Sequence, residues 1–590
     1  MMKISKKVLT SLVITLLSTS VTLAASPDRQ EALGPDGSAH RPVQARHRKT
    51  IIPVYRQGTL QSTQYGMVRG TRDGETLAWK GIPYGRAERW KAPEDPLPWQ
   101  GIRNAEKSGP PAFQQTPLGY GGTEDCLNLD IVRPDTAETN LPVFFFIHGG
   151  NNQSGDSRQV RLQKLAVKEN VLAVSINFRL GALGFNPLPA LKHGSAEENS
   201  GNYTLLDILQ ALDWTKDNIR SFGGNPDNIT VSGFSSGGRD VMALLISPLA
   251  KGLFQRAISF SGGMTTADTA DSQKIFARHL APYVVADGIC SSEREAEDWL
   301  LKDSPEVAHY LRGLSAPRLA GAFGHAFIRM EAFPHLYRDG VVLPKEGFQT
   351  ASYNRVPLLM FTGTGEFSLY ARSDPYFSKS VSDGTVFTDS KKKAEFLFAR
   401  NYGSRMYELF NDEDSAAHMS PHYGRTSVYT MVIGYGENPA LVGEKEALLS
   451  GSVHGIWIPF VTGYADATTK DFPKGSFDNP GALALADTIQ GYIGNFMRTG
   501  NPNGKGLPLW KKWSPAPHGP TALVVDADRT EARYTQTYGH GTYETILEDM
   551  EEDRTVDAKE KEYLIRHVLN GRWFSEPLER KQLHHRGGRR

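Results

Sequence analysis

The stretch Val231-Ser232-Gly233-Phe234-Ser235-Ser236-Gly237-Gly238 leaves few ways to fold the chain around it. It carries Gly-x-Ser-x-Gly centred on Ser235, a spacing that takes its meaning from what flanks it. Upstream, Asn228-Ile229-Thr230-Val231-Ser232 is short and β-branched, the pattern of a buried strand. Downstream, Asp240-Val241-Met242-Ala243-Leu244-Leu245-Ile246 reads as a helix. Between the two, Gly233 and Gly237 remove Cβ atoms that would collide in so sharp a turn, and Gly238 lets strand and helix approach. This context predicts a strained serine at a strand end with its hydroxyl presented, a nucleophile in preference to a structural Gly-rich turn.

The rest of the chain supplies strands and helices to surround that turn. Segment 63–79 alternates weakly and is broken by glycines, as in an opening hairpin or meander. Segments 127–132, 143–147, 171–176, 257–260 and 356–361 read as strands, several of them wholly apolar and so buried on both faces. Segment 205–222 has helical apolar spacing and ends at Gly223-Gly224. Such alternation argues for a large, mostly parallel sheet with helices on both faces, an α/β fold. Segment 265–351 looks helical and irregular, a candidate inserted cap, and 396–435 reads as mainly helical.

At 590 residues the chain suits two to four average domains or one large catalytic domain with insertions. Its net charge of +1 implies no nucleic-acid partner. Lys3, Lys6 and Lys7 precede an apolar run over 8–23 and then Ala24-Ala25-Ser26. That layout predicts a signal peptide over 1–25, a flexible lead-in over 26–50, a catalytic domain over 51–575 and a basic tail over 576–590. No other stretch suits a stable membrane span, so an exported protein, periplasmic or secreted, is expected. Cys126 and Cys290 either pair in an oxidising compartment or stay free; their wide separation favours two buried thiols.

A serine hydroxyl needs a base, and the base needs an orienting carboxylate. In a sheet of this kind they follow in the order serine, acid, histidine, on loops after later strands. Of the 16 histidines, His454 lies in Gly451-Ser452-Val453-His454-Gly455, where glycines let a loop reach the serine. His418, His422 and His585 have no such setting. Glu366 follows the 356–361 strand through Thr362-Gly363-Thr364-Gly365, with Asp374 and Glu395 as rival acids. Oxyanion donors are expected from Gly150 and Asn151 in His148-Gly149-Gly150-Asn151-Asn152, and from the N–H of Ser236. There is no clustered metal-ligand spacing and no nucleotide fingerprint, so neither a metal nor a cofactor is expected.

Several motifs together resemble the type-B carboxylesterase family over about 65–515. These are Gly81-Ile82-Pro83-Tyr84, Glu124-Asp125-Cys126-Leu127-Asn128-Leu129, the run from Asn177-Phe178-Arg179 to Gly184-Phe185, Asn202-Tyr203 to Asp207, Phe222-Gly223-Gly224-Asn225-Pro226, the elbow, His454-Gly455 and Thr499-Gly500-Asn501-Pro502-Asn503. The resemblance implies an α/β-hydrolase fold and a Ser235/Glu366/His454 triad with oxyanion donors at Gly150, Asn151 and Ser236. It further implies hydrolysis of a small-molecule ester without a cofactor, and ion pairs Arg89–Glu124 and Arg179–Asp207. The chain departs from the family at Phe234, where Glu is usual, Ser236, where Ala is, Asn151 and Phe367, where Gly is, and Trp457, where an acidic residue often stands. Phe113 and Trp299 occupy the positions of the usual disulfide partners of Cys126 and Cys290.

An exported serine carboxylesterase is therefore the expectation. A non-catalytic binding or adhesion protein on the same fold would have no need of Ser235, Glu366 and His454 together. An amidase using the same triad differs only in its leaving group. The segment between Phe113 and Cys126 is too short and polar for the amphipathic lid of the resembling lipases and lacks the choline-binding tryptophan of cholinesterases. Soluble, neutral, short- to medium-chain or aryl esters are the expected substrates.

Overall fold

The computed structural model describes residues 54–465 and 468–578. The expected leader and lead-in, and 579–590 of the expected tail, lie outside the described residues. At its centre is an 11-stranded sheet. In chain order the strands are β1 Thr71–Asp73, β2 Thr76–Pro83, β3 Asn128–Pro134, β4 Leu141–Ile147, β5 Leu172–Ile176, β6 Gly224–Phe234, β7 Arg256–Phe260, β8 Leu358–Gly363, β9 Val428–Ile433, β10 Pro520–Ala527 and β11 Ala532–Tyr538. Across the sheet they run β11-β10-β9-β8-β7-β6-β4-β5-β3-β2-β1. Neighbours from β10 through β5 are parallel, and antiparallel strands finish both edges.

The apolar run of β4 shows why the sheet must be covered twice. Successive side chains point to opposite faces. Val143, Phe145 and Ile147 enter one core, with the apolar residues of helices α1 Tyr203–Asn218 and α2 Ser236–Ile246. Phe144 and Phe146 enter another, with Leu485, Ile489 and Ile493 of helix α4 Pro480–Thr499. A third core gathers around helix α3 Ser390–Asn411 and the chain's C-terminal part. The cap between β7 and β8 consists of helices Thr269–Ala286, Glu293–Leu300, Pro305–Gly313 and Ala316–Gly321.

The structure refines three expectations. Segment 396–435 is mainly helical, as expected, but ends in strand β9, buried at every position. A wholly apolar run in a parallel sheet has no alternation to distinguish it from a helix. Strands β10 and β11 extend the sheet beyond 356–361, where the sequence reading stopped. The expected tail begins too early, because Glu576-Pro577-Leu578 is helical and Leu578 is buried in the third core.

Both expected ion pairs form. Arg179 donates to Asp207 through Nε at 2.8 Å and Nη2 at 2.7 Å, with both side chains buried. Arg89 meets Glu124 through Nε at 2.8 Å and also donates to the Leu314 carbonyl at 2.5 Å, tying the 124 loop to the cap. Cys126 and Cys290 are free and buried, and burial pushes the Cys126 thiol well up. Phe113 and Trp299 pack at the edge of the core that holds both cysteines.

Two measurements follow. Arg179→Gln should lower unfolding free energy in urea by about 3–5 kcal/mol, because it leaves Asp207 charged and buried. Arg89→Gln, at a partly exposed pair, should cost about 1 kcal/mol or less; the reverse order would refute this division. Titration of the denatured, unreduced protein should find both thiols, and finding none would refute the free state.

Candidate active site

Ser235 sits where β6 gives way to α2, at φ 58° and ψ −119°. Its N–H donates to the Phe260 carbonyl of β7 at 2.8 Å. A Cβ on Gly233 would stand 2.2 Å from the Gly237 carbonyl oxygen, and one on Gly237 would stand 2.3 Å from that of Ile147. Real Cβ atoms do not approach backbone so closely, so both glycines of the motif are needed by contact.

Glu366 and His454 are joined by their backbones before their side chains meet. Gly365 forms a parallel bridge with Val453, and its N–H donates to the Ser452 carbonyl at 3.0 Å. His454 Nδ1 then hydrogen bonds Glu366 Oε2. The other carboxylate oxygen accepts from Ser261 Oγ at 2.6 Å, Gly363 N at 2.8 Å and Thr362 Oγ1 at 3.2 Å. With Nδ1 donating to the carboxylate, Nε2 is the basic nitrogen. Among the described residues this nitrogen is buried and has no hydrogen-bond partner, the Ser235 hydroxyl included. Ser235, His454 and Glu366 are 5%, 2% and 0% exposed, so their chemistry proceeds away from bulk water.

Aromatic rings surround the histidine. Phe234 lies 4.8 Å from its ring centroid, Tyr370 5.5 Å and Tyr407 5.6 Å. The Tyr370 hydroxyl lies beside that of Ser235, and burial, with the Glu366 charge adding to it, pushes this phenol up. Sequence reasoning missed Ser261, Tyr370 and Tyr407. Ser261 carries a signal in hindsight, since it follows β7 directly, at a strand end facing the site. The tyrosines lie on separate helices and have no local signature.

The expected oxyanion donors lie on the loop after β4 and at the start of α2, which meet at the Asn152–Ser236 hydrogen bond. Gly150 has φ 116° and Asn151 φ 58°, and the Gly149 N–H is pinned to Gln159 Oε1 at 2.7 Å. Among the described residues, no protein group accepts from the N–H of Gly150, Asn151 or Ser236. Asn151 tolerates its left-handed backbone, as asparagine does. Its side chain turns aside to Gln153 Oε1 at 2.8 Å. His148, buried against Phe178 at 4.3 Å, is pushed down to about 4 by burial and is a neutral prop of this loop.

The departures from the family pattern fall into contacting groups. Phe234 meets Trp457 edge-on at 5.4 Å, so an aromatic pair fills the place of two acidic positions. Ser236 Oγ accepts from the Asn152 N–H at 2.9 Å, and Asn152 Nδ2 donates to Asp240 Oδ1 at 2.9 Å. The hydroxyl that replaces a methyl thus fastens the 148–152 loop to α2. Asp240 is pushed up to about 7 by burial, against the pull of Asn152 and Arg239.

The other candidates lie elsewhere. Asp374 pairs with Arg572, and Glu395 with Lys392 and Tyr376. His418 bonds the Asp414 carbonyl at an exposed position, His422 stacks on Tyr353, and His585 lies outside the described residues. Among the described residues, no group of His, Cys, Asp or Glu could hold a metal ion.

The chain is similar to known proteins. A sequence model of the carboxylesterase family matches residues 57–425. Para-nitrobenzyl esterase of Bacillus subtilis is 30% identical over 498 residues, 80% of this chain and 95% of that protein. Carboxylesterase 1D of Rattus norvegicus is 29% identical over 73% of this chain and 83% of its own. A solved PNB esterase gives a TM-score of 0.61 at 27% identity, covering 81% of this chain and 97% of that one. Carboxylesterase EST55 of Geobacillus stearothermophilus gives 0.63 at 25%, covering 81% and 98%.

Two substitutions test the site's packing and charge. Phe234→Glu should destabilise the protein by about 3–5 kcal/mol, since it buries a carboxylate against the apolar face of Trp457. Asp240 tests the sign of a linkage. Its native pKa of about 7 exceeds the ordinary 3.8, so the native state holds the proton more tightly and stability falls as pH rises through that window. Asp240→Asn still accepts from Asn152 but does not titrate. Thermal melts at pH 5 and pH 8 should show a smaller loss for the variant than for the parent, and equal losses would refute the assignment.

Proposed function

The chain belongs to the carboxylesterase family, and from that premise we propose that it hydrolyses soluble carboxylic esters through an acyl-enzyme on Ser235. Family membership makes it a serine hydrolase acting on carboxylic esters. One observation carries the finer reading: Glu366 and His454 are bonded inside the protein, in a pocket of rings shared with the strained Ser235 turn. Ser235 Oγ attacks the ester carbonyl as His454 Nε2 takes its proton. Glu366 holds the imidazole in the required tautomer and balances the imidazolium charge. The N–H groups of Gly150, Asn151 and Ser236 receive the oxyanion. His454 then protonates the leaving alcohol, and water repeats the sequence on the acyl-enzyme.

The substrate reading rests on the segment before Cys126. Gln114–Thr116 and Gly119–Gly121 form a two-stranded hairpin, with no amphipathic helix to open at an oil surface. Tyr120 stacks on Phe113 at 6.3 Å and closes that hairpin on itself. Export is supported by the charged and then apolar leader ending at Ala24-Ala25-Ser26. Among the described residues, no helix is long and apolar enough to cross a membrane.

Ser235→Ala should reduce turnover of p-nitrophenyl butyrate by at least about 10⁴-fold and abolish labelling by a serine-directed organophosphate, with the fold intact. Glu366→Gln should lower kcat by about 10³–10⁴-fold. A folded Ser235→Ala protein with most of its activity would refute the assignment, and faster cleavage of the matching nitroanilide would make the protein an amidase. Rates on monomeric butyrate esters, emulsified long-chain triglycerides and acetylthiocholine should favour the first. A jump above the solubility limit, or preference for the choline ester, would overturn the substrate class. N-terminal sequencing of the exported protein should begin at Ser26.

A further inference from the structure

Arg572-Trp573-Phe574 lies far past the last strand of the sheet, yet it reaches the elements that carry Ser235, Glu366 and His454. Arg572 is buried. Its Nη2 donates to Asp374 Oδ2 at 2.9 Å, its Nη1 to the Phe327 carbonyl at 2.5 Å, and its Cζ stands 5.2 Å from the ring centroid of Phe367, the residue after Glu366. Trp573 lies 4.1 Å from the guanidinium carbon of Arg239. Arg239 is one turn along α2 from Ser235, and its N–H donates to the Ser235 carbonyl at 3.0 Å. Phe574 meets Phe367 edge-on at 5.5 Å and Tyr407 at 5.1 Å. Tyr407 is the ring that stacks on His454, at 20° between planes.

The same tripeptide holds a strained neighbour. Phe327 and Ile328 have φ of 46° and 57°, and a β-branched residue there is an outlier that persists only where its surroundings over-determine it. The Trp573 N–H donates to the Ile328 carbonyl at 3.0 Å, and Arg329 bridges Arg572 in antiparallel fashion. Just before it, Leu564–Leu569 runs as a π-helix, a rare geometry frequent at functional positions. Burial alone would be served as well by apolar side chains, since a buried ion pair contributes little net stability over them. Arg572–Asp374 adds position: Asp374 caps helix Pro375–Ser382, which is joined to the acid's loop by the short helix Ser368–Ser373.

We propose that Arg572-Trp573-Phe574 is a positioning strap for the ester-cleaving centre, setting the Phe367–Tyr407 wall that keeps His454 oriented. This rests on the reading of Ser235, Glu366 and His454 given above. The test compares full-length Phe574→Ala, Arg572→Met and Arg572→Lys with the parent on p-nitrophenyl butyrate. Reactive serines are counted by fluorophosphonate labelling, so that turnover is per labelled site. Phe574→Ala and Arg572→Met should lower kcat per labelled site by about 10- to 100-fold, the scale of an ångström-sized misplacement. KM should stay within about threefold, and the acid limb of the pH profile, which reports the base, should shift. Arg572→Lys keeps a charge for Asp374 and should lose less than Arg572→Met. If Phe574→Ala does not fold, Phe574→Leu makes the same comparison. Turnover per labelled site within twofold of the parent, or a loss confined to the labelled fraction, overturns the strap. A parent that labels no serine and cleaves no ester overturns the functional reading as well, whereas an active parent with indifferent variants overturns the strap alone.

Discussion

The turn at Ser235 exists because backbone from β4, β6 and α2 meets there with no side chains between. The Gly237 carbonyl crowds Gly233, and the Ile147 carbonyl crowds Gly237, to distances no Cβ could share. Between the two glycines Ser235 takes a φ of 58°. The left-handed conformation in turn swings Ser235 out of the strand direction and starts α2 at Ser236. Parallel neighbours on both sides of β6 hold it in register, Ser232 with Phe146 and Phe234 with Phe260. The 148–152 loop after β4 and the Ser261 turn after β7 therefore arrive beside the same serine. A site assembled at strand ends inherits the rigidity of the sheet.

Much of this was legible in the chain. The elbow glycines, the apolar strands and the order serine, acid, histidine are local or sequential signals, and each has a steric or chemical cause. The strand order was not legible, because it depends on which apolar run pairs with which. β9 was lost to a helical reading because Val428-Tyr429-Thr430-Met431-Val432-Ile433 is buried on both faces and alternates nowhere. The wall around His454 was invisible for another reason. Phe234, Tyr370, Tyr407 and Phe574 come from four separate segments and meet only once the third core has closed over the second.

The departures from the family pattern make sense through their contacts. Phe234 and Trp457, both departures, touch each other, while Ser236 bonds Asn152 and Asn151 bonds Gln153. At the first of these, changing one partner alone would leave a buried charge facing an aromatic ring. Changing both yields apolar packing without an unmet charge, which the interior tolerates far better. The surroundings of His454 are drier on this side, while its hydrogen bond to Glu366 stays in place. A substitution pattern that looks erratic along the chain is orderly in space.

The two lone thiols have a consequence for manufacture, in the cell or out of it. Cys126 and Cys290 are buried apart from any sulfur partner, and aromatic packing stands where covalent clamps would otherwise close two loops. No stage of assembly then waits for an oxidant, an isomerase or a particular glutathione balance. The loops that carry these thiols close by packing, so the folded form needs no sulfur–sulfur bond in a reducing cytosol or an oxidising exterior.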